Sequence, residues 1–172
     1  MTQISMHAAS APAFAKMLSN MLNWLEAAKA HAEAKKFSTD VYLTLRLAPD
    51  MLPFTKQIQI ACDAAKLAVA RIGGVDAPKF EDNETTFPEL KARIQKTLDF
   101  LASVPASVLE GKEGREITFP VGREKTRTMT GEAYLTTWAL PNFFFHVTTA
   151  YAILRHNGVD LGKTDYLAGA QR

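Results

Sequence analysis

The sequence predicts an all-α domain of four main helices with a small β-hairpin inserted before the last one. Apolar residues recur at helical spacing in four stretches separated by Gly and Pro signals, a capping box opens the third stretch, and only Ile117, Phe119 and Val121 alternate. The 172 residues suit one domain spanning 1–172, because single cores usually serve about 100–200 residues. Hydrophobic residues at 47% and charged residues at 22% exclude a disordered or collagenous chain and predict a soluble globular one. Twenty Lys+Arg against eighteen Asp+Glu leave a formal charge of +2, too balanced for a dedicated nucleic-acid binder.

The first helix is signalled after Ser10, with Pro12 in its opening turn and Phe14, Met17, Leu18, Met21, Leu22, Leu25 and Ala28 on one stripe, and is expected to end near His31 or Ala32. From Lys35 to Leu47 the pattern is mixed and predicts a connection with one helical turn. The second helix is expected to start near Asp50 as N-cap, with Pro53 in the first turn and Phe54, Ile58, Ala61, Ala65, Ala68 and Ile72 as its stripe; Gly73-Gly74 ends it. Val75 to Thr85 reads as a linker, able to cover roughly 35 Å when extended, so the second and third helices can run parallel. Thr86-Phe87-Pro88-Glu89 is a capping box, followed by Leu90, Ile94, Leu98, Leu101 and Val104. The alternation at Ile117, Phe119 and Val121, then Gly122 and a Thr/Arg run, predicts a peripheral hairpin from Arg115 to Thr128. A last helical region starts at Thr130-Gly131-Glu132, bends at Pro141 and stops at Gly158.

No secretory signal is visible at the start, and the uncharged stretch from Tyr134 to Leu154 carries too many polar residues, Asn142 and His146 among them, to suit a bilayer. The expectation is a cytoplasmic protein with no membrane partner. Cys62 is the one cysteine, which rules out an internal disulfide, and its mid-helix position provides nothing to activate the thiol. No P-loop, dinucleotide fingerprint, nucleophile elbow or EF-hand is present. Arg115, Arg123, Lys125 and Arg127 form a basic ribbon, but Glu116 and Glu124 interrupt it and predict a solvated hairpin.

Of the four histidines, His7, His31, His146 and His156, only His146 lies within an otherwise apolar helix. His146 and His156 are separated by about 15 Å along a helix and turned about 80° apart, so they cannot share an ion. Asn142 stands four residues before His146, giving Asn-x-x-x-His where a metal site wants two histidines. Phe143-Phe144-Phe145 spans more than one helix face, so at least one ring must leave the core for a pocket, another helix layer or a partner chain; a homodimer is the expectation.

Four stretches carry a resemblance. They are Arg46 to Met51, Gln57 to Asp63, Phe80 to Asp82 with Glu84 to Phe87, and Ala139 to Tyr151 continuing through Leu154 to Val159. Together they resemble an uncharacterised bacterial domain-of-unknown-function family of the DinB-like superfamily. The resemblance implies a four-helix bundle of up-down-down-up order and frequent homodimers. Members with known activity are metal-dependent thiol S-transferases and related isomerases that use three histidines, one on the second helix and a His-x-x-x-His pair on the fourth. On this chain those positions fall near Gln57, with Gln59 the alternative, and on Asn142 and His146, so one ligand in three is a histidine. The resemblance therefore implies a binding or stress-associated module with a degenerate metal site or a small-ligand pocket, no tightly held cofactor, and at most a weak zinc or nickel ion; the alternative is a thiol transferase using His146.

Overall fold

The computed structural model describes residues 4–122 and 124–169; Arg123 of the basic ribbon lies outside them. The chain is mostly helical with one two-stranded antiparallel hairpin. Helix α1 covers Ala11–Lys35 and continues beyond the expected His31 or Ala32, because Lys36 closes it in a left-handed conformation (φ 63°) with its N–H on the carbonyls of Ala32 and Glu33. The expected helical turn in the connection is α2, Asp40–Leu43.

Helix α3 covers Phe54–Gly73, so its start departs from the expected Asp50. Pro53 is extended (φ −70°, ψ 165°) and stands as the N-cap, while Arg46 donates to the Met51 carbonyl and holds the preceding residues in a separate loop. Helix α4 covers Phe87–Ser103 and opens with the expected capping box: Thr86 accepts from the Glu89 N–H while the Glu89 carboxylate accepts from the Thr86 N–H. After a short α5, Ala106–Leu109, strands β1 (Glu116–Val121) and β2 (Lys125–Thr130) pair with Ile117 opposite Met129 and Phe119 opposite Arg127.

The hairpin is less peripheral than its sequence suggests. Ile117 and Phe119 are buried, and Phe119 lies 4.9 Å from the Tyr134 ring and 5.3 Å from the Trp138 ring. Gly131 allows the close approach, since a Cβ there would stand 2.1 Å from the Lys112 carbonyl oxygen.

Helix α6, Gly131–Tyr134, runs into a π-helical turn, Leu135–Ala139, and then into α7, Leu140–His156. The irregularity expected at Pro141 is thus taken up just upstream, in Leu135–Ala139. A proline has no N–H to donate to the preceding turn, and the wider turn absorbs the fault. It also lets Trp138 face the hairpin while Phe143, His146 and Val147 face inward. Helix α7 ends just before Gly158, as expected, but a further helix follows. A short α8, Lys163–Ala168, packs on α1, where the Trp24 indole donates to the Asp165 carbonyl and Asn20 to that of Tyr166.

The long helices share one core. Helix α3 packs against α7 and α4, and α1 against α4 and α7. Phe14 and Phe143, both fully buried, meet edge to face at 4.8 Å and join α1 to α7. No helix among the described residues is long and apolar enough to cross a membrane.

The segment between α3 and α4 is held by charge. Arg93 of α4 is 2% exposed and meets Asp63 and Asp82 at 3.1 Å each and Glu84 at 2.9 Å. Burial opposes its charge, but the Glu84 hydrogen bond and the Asp63 carboxylate outweigh burial and raise its pKa. Phe80 lies under both Arg93 and Lys66, and Gln59 donates to Glu84 at 2.7 Å. Residues from two of the family-like stretches therefore share one structural task, fastening the linker to the helices.

Candidate functional site

Gln57 comes from the first turn of α3 and His146 from the middle of α7, the two helices packed together through the core. Gln57 is 1% and His146 8% exposed. Their side chains meet directly, Nδ1 of His146 to Oε1 of Gln57 at 2.7 Å, and Gln57 Nε2 donates to the Leu52 carbonyl at 2.8 Å. This relay has one direction. A carbonyl only accepts, so the Gln57 amide presents nitrogen to Leu52 and oxygen to His146; Nδ1 must then carry the proton. Nε2 is left with its lone pair. Burial lowers the His146 pKa below the ordinary value, so the ring is neutral at pH 7 and the lone pair is available.

Asn142 lies one turn earlier on α7 and is half-buried, and among the described residues its side chain makes no hydrogen bond to Gln57 or His146. The structure thus joins two of the three expected site residues and places the third nearby on the same helix. Gln59 belongs elsewhere, with Glu84 and Arg93. There it is buried beneath the linker.

A zinc or nickel ion does not fit this donor set. The Gln57 oxygen already accepts from His146, and the remaining donor, Asn142, is another amide, a poor ligand for either metal. Among the described residues no group of three His, Cys, Asp or Glu side chains is placed to hold an ion.

The other candidates resolve into structural roles. His31 bonds the Tyr42 hydroxyl at 2.6 Å and packs edge-on against Phe37, a contact across the α1–α2 connection with no sequence signature. Cys62 is buried and its thiol is pushed up to about 12 by burial, so the expectation of an inert cysteine stands. Phe143 lies in the core, Phe144 is half-buried, and Phe145 is 55% exposed beside His146, with ring centroids 5.2 Å apart and planes at 90°. Leu52, whose carbonyl holds Gln57, is 46% exposed, so large apolar groups stand in solvent on both segments that build the pair. The basic ribbon is dispersed: Arg127 lies over the Trp138 ring, whereas Arg115 lies over Gly74 at the end of α3.

The model of a domain of unknown function, DUF1993, matches residues 6–167, nearly the whole chain. The chain belongs to the DUF1993 family. A crystal structure of a DinB family member protein from Shewanella denitrificans is similar to this DUF1993 chain at a TM-score of 0.87 and 40% sequence identity, covering 96% of this chain and 93% of that one. No curated protein matches it. The DUF1993 chain is thus placed in the DinB-like superfamily, as its four resembling stretches imply.

Proposed function

We propose that this DUF1993 protein is a binding module, a DinB-like four-helix bundle of up-down-down-up order that takes a small ligand at Gln57 and His146, with Asn142 at the edge of the site. The observation that carries this reading is the relay from Leu52 through Gln57 to His146, which holds a neutral imidazole with its Nε2 lone pair unused among the described residues. Such a group accepts a hydrogen bond from a ligand hydroxyl, amide or ammonium. The long linker between α3 and α4 supports parallel helices at that point of the bundle. The module is cytoplasmic and homodimeric in this proposal, exposed Phe145 supplying the apolar surface for a second copy. Its role is in binding, or in a stress response, and not in metal-dependent thiol transfer.

The available lone pair also favours one enzymatic reading, His146 as general base without an ion. A fragment screen followed by ¹⁵N chemical shifts of His146 tests both. Ligands that move Nε2 and are lost in His146→Ala support the binding module, and turnover of such a ligand, also lost in that variant, supports the base. Fragments that bind equally well to His146→Ala contradict both.

A further inference from the structure

The hairpin and the end of α3 border an open polar groove of about 380 Å³, far along α3 from Gln57, lined by Arg71, Asp76, Arg115 and Glu116 with Ala70 and Thr118. Arg71 is half-buried, donates to the Tyr134 hydroxyl at 3.1 Å, and lies over the Phe119 and Tyr134 rings at 5.2 and 5.9 Å. Its guanidinium is fixed before any ligand arrives. Arg115 reaches the same groove from the residue just before β1, and its guanidinium covers Gly74, where a Cβ would stand 2.4 Å from Nη1. Gly74 is favoured as glycine by its positive φ of 68°.

Neither guanidinium has a carboxylate within 4.0 Å among the described residues, although Asp76 and Glu116 line the same groove. This is the opposite of Arg93, which is surrounded by carboxylates. For half-buried Arg71, burying part of a cation without a counter-charge is unfavourable; Arg115 is exposed and free to turn its planar fork onto two oxygens of one anion.

We infer that Arg71 and Arg115 form a binding site for a small oxyanion, a carboxylate or phosphate group carried by a small molecule. Asp76 and Glu116 in the same lining balance the two guanidinium groups, so the groove has no extended basic surface for a nucleic-acid backbone and suits one small anion held by direct hydrogen bonds. The site is independent of Gln57 and His146.

The test is titration of the full-length protein with inorganic phosphate and, separately, succinate at low ionic strength, followed by calorimetry and by amide shifts. Saturable binding below about 10 mM is expected for at least one of them, with shifts centred on residues 74–77 and 115–118. The stronger anion identifies the group. Arg115→Gln, an exposed change, should weaken it about tenfold or more, and Arg71→Lys should do the same while keeping the charge, because the fork is lost. Arg115→Gln keeps the test valid if the Arg71 variant unfolds. No saturation by either anion below about 10 mM, or an Arg115→Gln affinity within about twofold of wild type, would overturn the inference.

Discussion

His146 carries the most chemical information in the chain, because one hydrogen bond fixes its tautomer and burial keeps it uncharged. Replacing it by Ala leaves the Gln57 oxygen buried without a donor, so His146→Ala should cost on the order of 1–3 kcal/mol in chemical denaturation. A loss under about 0.5 kcal/mol would mean that the pair is not a structural unit. The same residue gives the fold a pH dependence. Its folded pKa lies below the ordinary value near 6.5, so below that pH the unfolded chain takes up a proton that the folded one refuses. Stability should be level just above pH 6.5 and fall as the pH drops below it, and this part of the slope should vanish in His146→Ala. At this scale the sequence made His146 legible, as the one histidine within an otherwise apolar helical stretch, but not its partner. Gln57 entered only through the family resemblance, since nothing in one chain specifies that residues 57 and 146 meet.

Elements that begin or end with local chemistry were legible, and elements ended by tertiary contact were not. The capping box at Thr86 set the start of α4 because Thr, Pro and Glu at those spacings satisfy the helix's own free N–H groups. The start of α3 was misplaced, since Asp50 has capping chemistry but Pro53, extended and without an N–H, makes the actual boundary. Helix α8 follows the real stop at Gly158 and exists against α1, where Trp24 and Asn20 donate to its backbone. The linker shows the same division. Its lack of helical period was visible, yet the reason it is ordered is Arg93, which reads as one more charged residue on α4. Arg93→Ala should leave the largely buried Glu84 without its cation, while Asp63 keeps Lys66, and cost about 3–5 kcal/mol, with hydrogen exchange accelerated first in residues 75–85. Exchange that rises uniformly over the whole molecule would show that the cluster does not act on the linker in particular.

For the molecule as a whole, the helical class and the hairpin followed from period and composition, since they depend on which residues must be buried. The proposed pairing of two copies depends on what remains outside. Phe145 is exposed next to the candidate site, and a homodimer built on it should sediment near twice the chain mass at micromolar concentrations, shifting toward monomer in Phe145→Ser. A monomer for both proteins would remove Phe145 from any interface between copies. In the proposed reading, the Gln57–His146 hydrogen bond takes the place that the family resemblance gives to a metal ion. The most direct measurement is the zinc and nickel content, and the calorimetric affinity for each ion, of protein prepared without an affinity tag. The pair predicts far less than one ion per chain and no stoichiometric binding in the low micromolar range; one ion per chain, removed by chelator and lost in His146→Ala, would contradict it.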